Sequence, residues 1–334
     1  MLKHDSNLLR QNGNVLPSCC AIDGSRTLER GKRGDIILIG ATRFNNDKSL
    51  SLRTGCNNMG FASYSRHYDL NNNLAAALMS RYELILAANS ASRLVMLDGS
   101  ISSAILPNNL TAHAGFTTPL TVEFNRNLYE FHLAAHTILV GREDDRIYVS
   151  CPKATEKQEI CYEMEWERTY PDLLSSINEK ELLNQILKAG EYTAPLQLTS
   201  RAHVYDGNRS TIYNWNLFPD SLKERDSRIN SVCEDIKKAL KDTVVCYYKP
   251  HENCEVIRME FSKSITMDEK KMATLLTTMK YYVLPNNLIK EPILLYGADL
   301  LAKRQISSAT RVYKTRLNWQ NYRTDQEEGI VGDA

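Results

Sequence analysis

The sequence predicts an α/β fold, a mixed sheet with flanking helices and an inserted elaboration. Three observations lead there. Two apolar runs, Cys19-Cys-Ala-Ile-Asp23-Gly-Ser25 and Leu94-Val-Met-Leu-Asp98-Gly-Ser100, each read as a short buried strand that ends in an aspartate where glycine lets the chain turn. Between them, Leu74 to Asn89 is rich in Ala, Leu and Met and reads as a helix. Strand-like segments at Asp35–Ala41 and Gly60–Arg66 fill the space before that helix, so the order is strand, hairpin, strand, strand, helix, strand. If the first and last of these strands are parallel neighbours, the helix is a crossover packed on the sheet.

Composition bounds the function. A chain of 334 residues is long enough for one large domain or two ordinary ones, with a core that needs no staples. Lys and Arg (41) nearly balance Asp and Glu (40), so a nucleic-acid surface has to be a local patch rather than a global field. No apolar run approaches a membrane span, and Met1-Leu-Lys-His-Asp-Ser lacks the apolar centre of a signal peptide. Eight scattered cysteines without a Cys-x-x-Cys spacing predict reduced thiols and a cytoplasmic location.

In chain order, residues 1–15 read as a polar arm or a short helix. The basic loop Arg26–Gly34 either touches phosphates or is a solvated turn, and it lacks P-loop spacing. Strands are expected at Leu120–Phe124 and Arg146–Ser150, with Phe131–Val140 ambiguous between strand and helix. His132 and His136 have helical ligand spacing but read better as ordinary histidines. Asn178-Glu-Lys-Glu181 is a capping box opening a helix that stops at Gly190, and a strand is expected over Ala194–Ser200. A charged amphipathic helix is expected over Asp220–Lys241, then an antiparallel pair, Thr243–Lys249 and Val256–Phe261. In the second strand Arg258 and Glu260 share the face opposite Ile257, Met259 and Phe261. Thr266-Met-Asp-Glu269 reads as another capping box, a last helix lies near Ile293–Lys303, and residues 321–334 form a loose acidic tail. Residues 16–320 read as one domain, elaborated over 105–175.

The chemistry follows from carboxylate placement. Side by side, Asp23 and Asp98 repel each other unless a cation lies between them. Glu83 interrupts the apolar stripe of the helix, where it snorkels, pairs with a base, or binds metal. Three oxygen ligands suit Mg²⁺ or Mn²⁺, and such a site can hydrolyse a phosphodiester without a nucleophilic side chain. The strand order and the acids are those of a ribonuclease H-like fold.

Ala21-Ile-Asp23-Gly-Ser25, Glu83 on its helix and Val95-Met-Leu-Asp98-Gly-Ser100 together resemble the NurA family of DNA-end-processing nucleases. Cys246-Tyr-Tyr-Lys-Pro and Val256-Ile-Arg258-Met-Glu260 resemble that family's tyrosine-bearing and Arg-x-Glu strands. The likeness covers residues 18–100 and, more loosely, 190–310. It implies a ribonuclease H-like core, a homodimer, DNA cleavage with Mn²⁺ or Mg²⁺, and docking on a HerA-type hexameric ATPase, in DNA repair or anti-phage defence. By position it implies Asp23, Asp98 and Glu83 as the catalytic and metal-binding acids. The family's Ala-His pair is replaced by Ala298-Asp299, so Asp299 is either a fourth ligand or a surface residue. The family's lysine is missing near Gln197, ahead of a retained Ser200-Arg201. Arg201, Lys249 and Arg258 are candidate DNA contacts or plain salt-bridge partners. The expected activity is a metal-dependent deoxyribonuclease, and the alternative is a catalytically weak or inactive ribonuclease H-like scaffold subunit of an ATPase–DNA complex.

Overall fold

The computed structural model describes residues 2–6, 8–9, 16–29, 35–45, 59–63, 68–101, 130, 133–140, 146–153, 159–165, 169, 178–198, 229–286 and 288–316. The expectations at Leu120–Phe124, His132, Arg201, most of the basic loop and the acidic tail lie outside these residues.

Among the described residues, ten strands form one mixed sheet. They are β1 (Leu2–His4), β2 (Cys19–Glu29), β3 (Asp35–Asn45), β4 (Met59–Ser63), β5 (Leu94–Asp98), β6 (Ile147–Cys151), β7 (Glu191–Thr193), β8 (Leu196–Gln197), β9 (Thr243–Tyr248) and β10 (Ile257–Ser262). The spatial order is β1-β7-β9-β10-β6-β5-β2-β3-β4, with β8 also on β9. Strands β2, β5 and β6 run parallel at the centre, and every other pairing is antiparallel. The helices are α1 (Tyr68–Ala88), α2 (Glu159–Glu163), α3 (Glu179–Ile186), α4 (Ile229–Lys241), α5 (Lys263–Thr266), α6 (Glu269–Tyr282) and α7 (Ile293–Arg316). The mixed α/β architecture expected from the sequence is the one observed.

Strand parity divides the core between two faces. Cys20, Ile22, Val95, Leu97 and Tyr148 pack on one face with Leu78, Tyr82 and Leu84 of α1. Cys19, Ala21, Leu94, Met96, Ile147 and Val149 pack on the other with Leu275 and Met279 of α6 and Leu295 and Ala298 of α7. The central strands are buried on both sides, as expected of parallel strands covered by helices, and so read as unbroken apolar runs.

Several boundaries differ from the sequence reading. The first strand does not stop at Asp23: β2 continues to Glu29 because its second half pairs with β3 from Gly24↔Ala41 to Glu29↔Ile36. The N-terminal arm contains β1, whose three residues pair with β7. The elaboration assigned to residues 105–175 contributes β6, a central strand between β5 and β10. Residues 133–139 are helical. The capping box at Asn178 and Glu181 is present, but α3 ends at Ile186 rather than near Gly190. The next cap is Asp268 rather than Thr266, its carboxylate accepting from Lys270 and Lys271 N–H, while Thr266 belongs to α5. The last helix runs on to Arg316.

Candidate active site

The parallel register sets the site. Ile22 lies opposite Leu97, so the next residue along each strand brings Asp23 beside Asp98. Parity turns both aspartates toward the face covered by α6 and α7. Each uses one oxygen in the same way: Oδ1 of Asp23 accepts the Gly24 N–H at 2.8 Å, and Oδ1 of Asp98 accepts the Gly99 N–H at 2.9 Å. Gly99 turns with φ of +76°, a conformation that favours glycine. In both residues Oδ2 is left toward a common space on that face, within 4 Å of one lysine nitrogen.

That space is framed by two more acids and one base. Asp98 is paired with Cys151 at the end of β6, and two residues further on stands Lys153. Its Nζ lies 3.2 Å from Asp98 Oδ2, 3.2 Å from Glu291 Oε2, 3.8 Å from Asp23 Oδ2 and 3.9 Å from Asp299 Oδ2. Glu291 immediately precedes Pro292 at the start of α7, and Asp299 lies on α7, where Lys303 one turn later also holds it at 2.8 Å. Asp299 is therefore a member of the cluster rather than a plain surface residue.

The charges are strained by this crowding. Asp23 is pushed up to about 8, first by burial, then by the charge of Asp98 and by Asp299, against the pull of Lys153. Its Oδ2 is buried and finds no hydrogen-bond donor. Glu291 is raised as well, chiefly by burial, with Lys153 opposing. Burial pushes Asp299 up too, but Lys303 and Lys153 outweigh it and hold the carboxyl below its ordinary value. Burial works against the Lys153 ammonium, yet Asp98, Asp23 and Glu291 raise it overall. Four carboxyls thus share two ammonium groups, Lys153 among them all and Lys303 on Asp299, and the crowding is relieved by a proton or by a further cation.

Glu83 arrives from the other face. It lies on α1, is 9% exposed, and is raised well above the usual carboxylate range by burial first and then by Asp23 and Asp98. Gly24 makes this approach possible, since a Cβ there would lie 2.5 Å from Glu83 Oε1 and 2.6 Å from Met79 Cγ. Glu83 also draws on the Gly24 backbone. The three acids read from the sequence are thus brought to one edge of the sheet. Among the described residues, however, no three His, Cys, Asp or Glu side chains converge tightly enough to hold a metal ion.

The basic residues fare differently. Arg258 is not a surface phosphate contact: it is fully buried, with Nε and Nη2 donating to Glu260 Oε1 at 2.9 and 2.7 Å and Nη1 donating to Tyr247 Oη. A strand covered on both faces leaves its guanidinium no route to solvent, and Glu260 supplies the countercharge a buried cation needs. Through Oε2, Glu260 accepts from Ser100 Oγ at 2.6 Å and Ile101 N–H at 2.9 Å, which fixes the turn carrying Asp98. Lys249 donates to the Asn184 carbonyl at 2.9 Å. Gln197 donates its amide to the Lys241 carbonyl. Sequence reasoning misses Lys153 because it treats residues 105–175 as elaboration. The available signal is Ile147–Cys151, since a third parallel strand delivers the residue beyond its end to the edge where Asp98 lies. Glu291 carries no comparable signal.

No family model and no curated protein matches the chain in sequence. The fold, by contrast, is similar to solved NurA structures. The NurA nuclease from Sulfolobus solfataricus superposes with a TM-score of 0.53 at 12% identity, over 93% of this chain and 90% of its own. A structure of NurA with manganese gives a TM-score of 0.53 at 10% identity, over 93% and 92% of the two chains. A further NurA structure gives 0.52 at 12% identity, over 94% and 92%. The shared feature is a NurA-like fold spanning nearly the whole chain.

Proposed function

We propose that this chain is a metal-dependent deoxyribonuclease whose acids Asp23, Asp98 and Glu83 are catalytic, with Asp299 as a further ligand. The observation that carries the reading is the convergence of Asp23 and Asp98 by strand register, with Asp299 against them and Glu83 behind. The residues fit a hard divalent cation: the donors are carboxylate oxygens, and Asp23 Oδ2 is buried without a donor. Mn²⁺ or Mg²⁺ held there would activate water and stabilise charge on the phosphodiester oxygens. Support for manganese comes from the NurA structure that contains it.

The chain's own residues would divide the remaining work. Asp23 and Asp98 keep one oxygen each for a cation because the glycine N–H groups that follow them hold the other. Glu83, pressed against Gly24, presents a carboxyl that retains its proton more readily than an exposed one. Glu260 and Arg258 keep the Asp98 turn in place from below. DNA would enter from the side where Lys153 and Asp98 are open to solvent. Arg201 and Lys249 remain proposed phosphate contacts. The wider setting, a cytoplasmic homodimer working with a HerA-type hexameric ATPase in DNA end processing or defence, rests on the family resemblance. Among the described residues no helix is long and apolar enough to cross a membrane.

One observation favours a second reading, a ribonuclease H-like scaffold that has lost turnover: among the described residues no three His, Cys, Asp or Glu side chains already converge on a metal position. The two readings part in one experiment. Linear and circular DNA are incubated with Mn²⁺, with and without EDTA, using wild type and Asp98→Ala, alone and with any HerA-type ATPase encoded beside the gene. Cutting that needs metal and disappears in Asp98→Ala is the expected result. Absence of cutting by wild type under every condition, with a stable ATPase complex still forming, would leave the scaffold.

A further inference from the structure

Lys153 reaches the middle of the acidic cluster from beyond the end of β6 and is not among the residues proposed as catalytic or metal-binding. We infer that its ammonium is a built-in counter-cation, one that holds the carboxylates together in the metal-free protein and has to swing out when a divalent cation enters. The inference rests on the metal-dependent reading of this site.

Geometry is the first argument. One nitrogen lies 3.2–3.9 Å from oxygens of Asp98, Glu291, Asp23 and Asp299, contributed by two strands and by α7 with the residue pair that leads into it. Such spacing suits an ammonium shared among several acceptors, whereas Mg²⁺ demands oxygens at roughly 2.0–2.1 Å. The wider spacing explains why no three acids among the described residues are drawn close enough for a metal. The same oxygens cannot serve both cations at once, because ammonium and dication would stand within a few ångströms and repel each other.

The second argument is that the side chain is free to leave while its backbone is not. The Lys153 carbonyl accepts from Lys180 Nζ at 3.1 Å, which pins the main chain just beyond β6. The Lys153 side chain is 36% exposed on a flexible four-carbon stem, against 6% for Asp23 and 11% for Glu291. Third, the cluster keeps a demand for positive charge even with the lysine in place, since four carboxyls converge on one shared ammonium. A stronger, more compact cation therefore has a reason to replace the ammonium. Entry of metal becomes an exchange of cations, and the lysine sets the metal concentration at which the site fills.

The test measures Mn²⁺ binding by calorimetry for wild type, Lys153→Met, Lys153→Arg and Asp98→Asn. Alongside it, wild type is labelled with an amine-acylating reagent and Lys153 is followed by mass spectrometry with and without Mn²⁺. Lys153→Met should bind Mn²⁺ at least about tenfold tighter than wild type, Lys153→Arg should not, and labelling of Lys153 should rise severalfold as Mn²⁺ saturates the protein. Equal affinity of wild type and Lys153→Met, or labelling that ignores Mn²⁺, would overturn the exchange. The metal site itself would then stand if Asp98→Asn still lost binding. Should wild type and every variant fail to bind Mn²⁺, the metal-dependent reading falls and takes this inference with it. The labelling arm needs no variant, so it decides the question even if Lys153→Met folds poorly.

Discussion

The carboxyl of Asp23 is the most telling single group in the molecule. Its proton is held up to about 8, against an ordinary 3.8, by burial, by Asp98 and by Asp299. A carboxyl raised in this way binds its proton in the folded state over a range where the unfolded chain has already lost it. Folding stability in the metal-free protein should therefore fall as pH rises from 3.8 toward about 8. Glu83 and Glu291 are displaced in the same direction and steepen the fall. Asp299 is displaced the other way, so its stabilisation is lost only as pH drops below the usual carboxylate range, outside this window. Lys153 is raised and stays charged throughout, its contribution disappearing only at higher pH. A tenfold difference in proton affinity between the folded and unfolded chain corresponds to about 1.4 kcal/mol, so the decline amounts to a few kcal/mol. Urea unfolding in EDTA at about pH 5, 6.5 and 8 should reveal it, and Asp23→Asn should flatten the slope. A slope that is rising, or unchanged in Asp23→Asn, would contradict the assignment.

At the scale of the element, β2 and α1 show how a glycine makes room for an acid. Gly24 has the parity that faces α1, and Glu83 with Met79 fills the volume where its Cβ would be. Gly24→Ala should push Glu83 away from the edge, cost about 1–3 kcal/mol through overpacking, and reduce DNA cleavage at least tenfold while the far-ultraviolet circular dichroism stays that of wild type. Wild-type melting and wild-type cleavage together would mean that Glu83 does not depend on this gap. The same pair of elements marks what is legible in the sequence. The apolar runs, the helix and the Asp-Gly steps announce themselves because central parallel strands and their crossover helix are patterned by burial. That Asp23 stands in mid-strand is not legible, because the pairing of β2 with β3 is long-range and leaves no mark at Gly24-Ser25. Arg258 misleads for a related reason: alternation along Ile257–Ser262 suggests one open face, while α2, α3 and their apolar neighbours cover it.

For the whole molecule, the sheet separates what holds the chain together from what would do chemistry. The candidate site lies at β2, β5 and β6, whereas the N-terminal strand β1 closes the opposite edge, beyond β10, β9 and β7. At the usual spacing between strands, β1 is about 24 Å from β5. The tie at that edge is Asp5, 1% exposed, which accepts from Tyr248 Oη at 2.6 Å and from Lys280 Nζ at 2.9 Å. Its backbone N–H also donates to the Gly190 carbonyl at 2.8 Å, just before β7, so side chain and main chain together dock the N-terminus on β7, β9 and α6. Hydrogen bonds to a charged group contribute about 1.5–3 kcal/mol each, and Asp5→Ala leaves both of these donors without their acceptor. The substitution should lower the melting temperature by several degrees. Below that transition, metal-dependent cleavage and Mn²⁺ affinity should match wild type, because the register of β2 against β5 does not involve β1. Parallel melting curves and cleavage rates at a temperature well under the transition test this directly. If Asp5→Ala removed cleavage while still folded, as Asp98→Ala is expected to, the N-terminal edge would be part of the active machinery and the division of the sheet into a structural end and a chemical end would be wrong.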